Sequence, residues 1–372
     1  MNHFDAIVVG VGGVGSAALR ALAKAGLHVL GLEQFKVGHA RGSSHGETRV
    51  IRKAYFEHPS YVPLLQRSYA LWDELEEEQE VSLFERCGVV QVGASDGPVI
   101  QGVLESARVH DLDVEALDSE GWASVCPHMR LPDGMVALYE RDSGFLRVEE
   151  CVRAQARSAI QKGATLLQGE QVVSFSKKKG VFHVQSSADS YSADRLVVCA
   201  GAWTAPLLCD LGVSLRVQRK VLLWCEAREA SWRNAPVFLY DFPHRVIYGF
   251  PLLDGRVKIA EHSGGQDAHP DALDRALYEA DREGVETFSK RWLRGIGPIQ
   301  EHAVCMYTHS PDGHFLVGEH PGREGLFLAA GLSGHGFKFA PVLGEILANE
   351  ALGVKSALDI SFLSPARFGG QA

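Results

Sequence analysis

The sequence lacks the features that mark several large classes of protein. Cysteine is sparse: Cys87, Cys126, Cys151, Cys199, Cys209, Cys225 and Cys305 are the seven in 372 residues, and no two stand in C-x-x-C spacing. An odd, unpaired set offers neither a disulfide framework nor a zinc site. A free cysteine of this kind is by default a small buried hydrophobe. The 16 histidines do not pair at i, i+4 around a carboxylate, so a zincin-like metal site is not indicated. No G-x-S-x-G elbow supports a hydrolase. Positive charge is in deficit, with a net charge of -9 and no Lys/Arg stripe interleaved with aromatics, which speaks against a nucleic-acid surface. No apolar run reaches the roughly 18 residues that cross a bilayer. The opening "MNHFDAIVVGVGG" shows no basic leader and no cleavage site, and the closing "FGGQA" is not a peroxisomal tripeptide, so a cytoplasmic location is expected. Repeats and low-complexity linkers are also lacking. With 46% hydrophobic and 22% charged residues, an ordinary globular protein of one large or two medium domains remains.

What is present is concentrated in the first thirty residues. Asp5–Val9 is a short apolar, β-rich run. Gly10, Gly12 and Gly15 follow as G-x-G-x-x-G. From Ser16 the period changes to helical, with Leu19, Leu22 and Ala23 at i, i+3, i+4 and Gly26 as a stop. A second apolar run, Val29–Leu32, ends at Glu33. In such a unit the first glycine allows the tight turn, the second lets backbone approach a pyrophosphate, and the third lets helix and strand pack closely. The helix N-terminus offers amide donors to phosphate. Glu33, 23 residues after Gly10, is placed to accept hydrogen bonds from a ribose diol. An adenine dinucleotide is therefore expected, although the motif alone does not choose FAD over NAD.

Later segments favour the flavin. "GHARGSSHGETRVIRKAY" (Gly38–Tyr55) is rich in Gly, Ser, His and Arg and reads as a long loop, where an NAD-type unit would continue into another regular βαβ turn. "ADRLVVCAGAWTAPLL" (Ala193–Leu208) reads as a buried strand, then Gly201, then a helical run. "GLFLAAGLSGHGFKFAPVLGEILANEAL" (Gly325–Leu352) reads as strand, glycine-rich turn and long helix, with the helix start aimed at an electron-rich group. Tyr61–Gln79 carries a helical apolar stripe, its Glu74–Glu80 run forming a solvated face. Ser174–Gln185 reads as a hairpin turning at its lysines. From about Val217 to Val304 the chain alternates as strands of a mainly antiparallel sheet, and Val90–Glu140 mixes strand and helix. The fold class expected is α/β (mixed α+β). A Rossmann-like FAD-binding domain would be built from 1–88, 142–215 and 305–372. A substrate domain with a mainly antiparallel sheet would come from 89–141 and 216–304, with the active site between the two.

With these segments placed, the chain resembles the monomeric sarcosine oxidase and N-methyltryptophan oxidase family. The blocks "GSSHGETRVIRKAY", "DSGFLRVE", "YGFP", "VKIAEH", "AVCMYT" and "GLSGHGFKFAPVLGE" occur in the family's order and separations. The resemblance implies FAD held covalently through a cysteine, which falls on Cys305. It implies oxidation of N-methyl amino acids by hydride transfer to the flavin. The imine then hydrolyses to formaldehyde and a primary amino acid, and O2 reoxidises the flavin to give H2O2. It implies a monomer. Arg52 and Lys338 match the pair that holds the substrate carboxylate, Lys258 the lysine credited with oxygen activation, and His262 a histidine near the amine. His45 and Arg49 match residues on the other flavin face. Tyr307, Tyr248 and Tyr55 match pocket-lining positions. Ser43, Gly334 and Gly336 fall in blocks that contact the cofactor. The family's "SHHGD" is here "SSHGE", so Ser44 and Glu47 are departures.

Cyclic imino acids such as proline or pipecolate, glycine and D-amino acids remain alternative substrates, and another electron acceptor remains an alternative to O2. Leu239 and Tyr240, in "FLYDF", are candidates for shaping the pocket. The chemistry fits the residues. A secondary amine must be neutral to lose a hydride, and a cluster of Arg49, Arg52, Lys258, Lys338 and a cationic His262 would hold a carboxylate while disfavouring an ammonium. Arginine supplies a planar fork for the carboxylate, lysine a point charge. Cys305 and Tyr307, at i and i+2 in a strand pattern, would share one face.

Overall fold

The structure, a computed structural model, describes residues 2–368. The first unit follows its sequence pattern. Strand Asn2–Val9 leads into helix Gly13–Lys24, and strand Val29–Glu33 returns parallel to and beside the first. The second strand is buried along its whole length, as a strand covered on both faces must be. Strand Ser190–Val198 flanks the first strand on the other side, also parallel, and Leu326–Ala330 adds a further parallel strand beyond it. Thr165–Gln168 closes the opposite edge. The sheet is thus assembled from the start, middle and end of the chain. Helices Gly13–Lys24, Val62–Gln79, Val148–Gln161 and Ala340–Ala351 cover one face with Leu19, Trp72, Cys151 and Leu343. The hairpin at the lysines forms between Val172–Lys178 and Val181–Ser186, and its two turn residues, Lys179 and Gly180, have φ of 51° and 86°. Two positive φ values match the right-handed twist of the flanking strands.

The second sheet has nine strands. Its order runs Gln266–Asp267, Arg216–Ala227, Arg256–Glu261, Arg245–Leu253, Val237–Phe242, Val89–Ala94, Met135–Glu140 and Glu115–Ala116, with Ile296–His309 also paired to Arg216–Ala227. Only the pairing of Val237–Phe242 with Val89–Ala94 is parallel. One face packs Val90, Phe238, Tyr240 and Ile259 against helix Glu279–Trp292, through Val285 and Phe288. The other face turns Val89, Trp224, Val237, Tyr248 and Cys305 toward the first sheet.

Three details differ from the sequence reading. Gly38–Tyr55 is not all loop: Thr48–Ile51 is a strand in a small third sheet, paired to Gly144–Arg147. The Ile296–His309 strand is continuous, so the domain boundary placed at residue 305 falls inside it. The glycine-rich turn after Ala330 ends in a short 3-10 turn, Phe337–Phe339, before helix Ala340–Ala351 begins with its first residues buried in the core. The turn, not the helix start, faces the cavity described next.

Candidate active site

A cavity of about 500 Å³ runs from the Gly10–Val14 turn of the first sheet to the inward face of the second. Its first end is built by the opening motif. Gly10 has φ of 84°, and a Cβ there would lie 2.6 Å from the Cys199 carbonyl oxygen. A Cβ on Gly15 would lie 1.8 Å from the Gly10 carbonyl oxygen, so strand and helix close only around glycine. Gly15 packs behind the wall, whereas Gly10 and Gly12 line it. Gly12 caps helix Gly13–Lys24 without any side-chain hydrogen bond, which leaves amide donors pointing at the cavity. Ser44, one of the two departures, accepts from the Gly13 amide at 3.2 Å and lines the same region. The buried Glu33 carboxylate accepts from the amides of Val11 (2.8 Å) and Phe35 (3.0 Å), and His39 lies 3.4 Å away. Burial would raise its pKa, but these donors outweigh it and hold the carboxyl below its usual range. Gly201 lines this end as well.

The roof is one face of the nine-stranded sheet. Lys258 pairs with Trp224, Ala260 with Tyr248, and Lys220 with Cys305, so alternation puts Lys258, His262, Tyr248, Cys305 and Tyr307 on that face together. Tyr248, His262 and Tyr307 line the cavity; Lys258 and Cys305 lie just behind its wall. Lys258 is on an inner strand, is 2% exposed, and donates to the carbonyls of Gly46 (2.6 Å) and Thr48 (2.8 Å). Burial, then the Arg49 charge, pushes its pKa well down. The Arg49 guanidinium lines the cavity, donates to the Ser43 carbonyl at 2.8 Å and lies 3.4 Å from Cys305 Sγ. The Cys305 thiol in turn lies 3.6 Å from the Ser43 carbonyl. Ser43 lines the cavity; His45 does not, and its buried Nε2 has no partner among the described residues. Glu47, the other departure, accepts from Trp224 Nε1 at 2.7 Å and pairs with Arg256.

His262 Nδ1 lies 3.3 Å from the Tyr307 hydroxyl. The expectation of a cationic His262 is corrected: burial, then the nearby Lys220 charge, lowers its pKa to about 3, so the imidazole is neutral. His45 is lowered to about 3 as well, by burial and then by Arg49. Lys220 escaped the sequence reading. Its buried ammonium donates to the carbonyls of His262, Ser263 and Gly264 at 2.6–3.0 Å and sits over the Tyr307 ring. Those partners lie more than 40 residues away, so no local pattern announces them.

The far end holds the two expected carboxylate binders. Arg52 and Lys338 are 4% and 5% exposed and both line the cavity. Arg52 lies over the Tyr55 and Phe56 rings, donates to Glu57 at 2.9 Å, and has a buried Nε without a partner among the described residues. Lys338 donates to the His335 carbonyl at 2.7 Å, and burial followed by the Arg52 charge lowers its pKa to about 7. Tyr55 stands behind the wall, 2.5 Å from His335 Nδ1. Gly334 and Gly336 line the turn between. Leu239 lines the cavity, but Tyr240 faces away, its hydroxyl donating to the Arg130 carbonyl. Glu57, His335 and Gln91 also line it and were not singled out from sequence.

A family described as FAD dependent oxidoreductase matches residues 5–350. The chain belongs to it. Among curated relatives, a monomeric sarcosine oxidase of Streptomyces avermitilis is 37% identical, over 98% of this chain and 97% of its own. An N-methyl-L-tryptophan oxidase of Salmonella dublin is 38% identical, over 98% and 99%. Among solved structures, NikD, an amino acid oxidase of nikkomycin biosynthesis, superposes with a TM-score of 0.87 over 98% of both chains at 23% identity. Glycine oxidase from Geobacillus kaustophilus superposes with a TM-score of 0.84 over 99% of both chains, at 20% identity. At those identities the structures speak to the fold alone.

The residues fit FAD. As a member of the FAD dependent oxidoreductase family, the chain presents a buried carboxylate and the amides of a helix N-terminus at one end of a cavity large enough for a ligand. An apolar and cationic chamber lined by Leu239, Tyr248, Arg52 and Lys338 lies at the other. Among the described residues no group of three or more His, Cys, Asp or Glu could hold a metal ion. No described helix is long and apolar enough to cross a membrane.

Proposed function

We propose that this protein is an FAD-dependent oxidase of secondary amino acids, of the N-methyl amino acid kind. The observation that carries the reading is the pair of buried cations, Arg52 and Lys338, set in the wall of a dinucleotide cavity opposite the neutral His262 and the hydroxyls of Tyr248 and Tyr307. The names of the full-length relatives, monomeric sarcosine oxidase and N-methyl-L-tryptophan oxidase, support it. In this reading the parallel sheet and its helices hold FAD through Gly10, Gly12, Glu33, Ser43 and Gly201. The nine-stranded sheet roofs the substrate.

Arg52 holds the substrate carboxylate with a planar fork and Lys338 with a point charge. Arg49 and Arg52 keep the chamber positive, which lowers the pKa of a bound ammonium and favours the neutral amine. His262, itself neutral with a pKa of about 3, adds no charge beside the amine and does not retain a proton, so the amine's proton is released to water. FAD, when bound, would supply the acceptor for the hydride leaving the carbon beside nitrogen, with O2 and two protons taking up the electron pair as H2O2. Water then hydrolyses the imine, giving formaldehyde and the primary amino acid from an N-methyl substrate. Lys258, buried behind the cavity wall with its pKa pushed well down, is the residue we assign to oxygen activation. Cys305 is the residue we assign to a covalent link with the cofactor, and the Arg49 guanidinium lies beside its sulfur at 3.4 Å. A monomer in the cytoplasm completes the reading.

Two measurements test it. The protein is precipitated with acid and the pellet inspected for flavin absorbance; a coloured pellet is expected, and a colourless one sinks the covalent link. A peroxide-coupled screen of N-methyl and cyclic amino acids is expected to give turnover. No peroxide with any of them sinks the oxidase reading.

A further inference from the structure

We infer that Lys220 is a positioning residue for the amine end of the site: its ammonium gathers the carbonyls of His262, Ser263 and Gly264 and so fixes the His262 ring against the Tyr307 hydroxyl. The inference rests on the oxidase reading above, which sets that end opposite Arg52 and Lys338. Lys220 lies in strand Arg216–Ala227 of the roof, is 4% exposed and does not line the cavity. It is paired with Cys305, and Gln218, two residues back, is paired with Tyr307, so Lys220 shares a face with both. An ammonium has three N–H donors and no acceptor. Here three carbonyls stand at 2.8, 2.6 and 3.0 Å from Nζ, so every donor is matched. The same Nζ lies 5.1 Å from the centre of the Tyr307 ring, within cation–π range. Burial lowers its pKa to about 8, with Glu261 and Cys305 opposing, so the group is mostly protonated at neutral pH.

A buried ammonium is costly, and a methionine of similar length would fill the space without that cost. What the ammonium adds is a fixed turn beside the cavity. His262 follows strand Arg256–Glu261 and opens that turn. Its amide donates to the Val246 carbonyl at 2.8 Å, and the Ser263 hydroxyl donates to Glu261 and accepts from the Val246 amide. Gly264 and Gly265 come next and carry no side chain to anchor the chain. Lys220 takes the carbonyls, reaching them from the neighbouring strand. With the turn held, His262 Nδ1 lies 3.3 Å from the Tyr307 hydroxyl, and both residues line the cavity. Hydrogen bonds to such groups orient a neutral amine. A small misplacement of them costs rate without loosening a carboxylate held elsewhere.

The test separates orientation at the amine end from binding at the carboxylate end. In flavin-loaded Lys220→Met, the limiting rate at which an N-methyl amino acid reduces the flavin without oxygen is expected to fall by roughly 10²-fold. The Kd of propionate, a carboxylate with no amine, is read from the perturbation of flavin absorbance and is expected to stay within about twofold of wild type. Lys220→Gln keeps two donors and no charge, and is expected to lose roughly tenfold in rate. Should the methionine variant take up no flavin, Lys220→Gln carries both measurements. Losses of equal size in the two variants would assign the effect to the charge and overturn the positioning role. Unchanged rates overturn it too, as does a propionate affinity that falls as far as the rate; each of these leaves the oxidase reading intact. A wild-type flavin that no secondary amino acid reduces overturns the oxidase reading and the inference with it.

Discussion

Lys338 is a buried ammonium whose neighbours disfavour its charge. Burial and then Arg52 bring its pKa to about 7, against which Glu57 is a smaller opposing influence. The protonated form is the one that attracts a carboxylate, so affinity is greatest below that value and weakens as pH rises through it. A bound carboxylate restores the charge and moves the bend upward. The expected outcome is a Kd, for a carboxylate lacking any amine, that rises between about pH 6 and 9 and levels off where Arg52 alone holds the ligand. Lys338→Met should bind more weakly at pH 6 and show no bend. A flat wild-type profile, followed by flavin absorbance, would contradict this account. His262, with a pKa of about 3, should contribute no bend in that range. Cys305 offers a second test. Its thiol is 1% exposed and lies beside Arg49 and the Ser43 carbonyl, a setting with little packing reason for serine to fail. Cys305→Ser should fold, release its FAD on acid precipitation and retain little activity.

At the scale of the element, the opening β-turn-α unit separates folding from cofactor binding. Gly15 and Gly12 stand three residues apart in the same motif but meet different surroundings. A methyl on Gly15 would run into the Gly10 carbonyl at 1.8 Å, which is backbone and cannot swing aside. Gly15→Ala should therefore separate strand Asn2–Val9 from helix Gly13–Lys24 and destabilise the protein by about 1–3 kcal/mol. A methyl on Gly12 meets only Ser44 Oγ, at 3.8 Å, an ordinary contact. Gly12→Ala should leave the stability of the flavin-free protein within about 0.5 kcal/mol of wild type. It should still bind FAD poorly, because the methyl occupies the space where a pyrophosphate approaches the amides. Urea unfolding and flavin content, measured on both variants, check the contrast. Equal losses of stability would show that Gly12 is a packing glycine as well.

For the molecule as a whole, what the sequence showed was what the chain encodes locally. The glycine motif, the Tyr61–Gln79 stripe and the lysine hairpin each carry their signal within about twenty residues. The sheet assembled from three separate parts of the chain followed from recognising several strands. The rest depends on contacts across long separations. Strand Thr48–Ile51 exists because Gly144–Arg147 pairs with it. Lys220 acquires a purpose only through carbonyls 42–44 residues on. The same long-range assembly has a thermodynamic consequence. The cavity takes walls from both large sheets, so a ligand filling it stabilises only the assembled molecule. Flavin-free Cys305→Ser protein should melt below its FAD-loaded form. Its Tm should rise with the logarithm of FAD concentration, by RT ln(1 + [FAD]/Kd) expressed as stability. Added FAD should move the unfolding of both sheets together, read by tryptophans on each: Trp72 in the helical layer on the parallel sheet and Trp224 in the nine-stranded one. A shift confined to the Trp72 signal would mean that the cofactor is held by the parallel sheet alone, and that the roof closes over it without contributing to its binding.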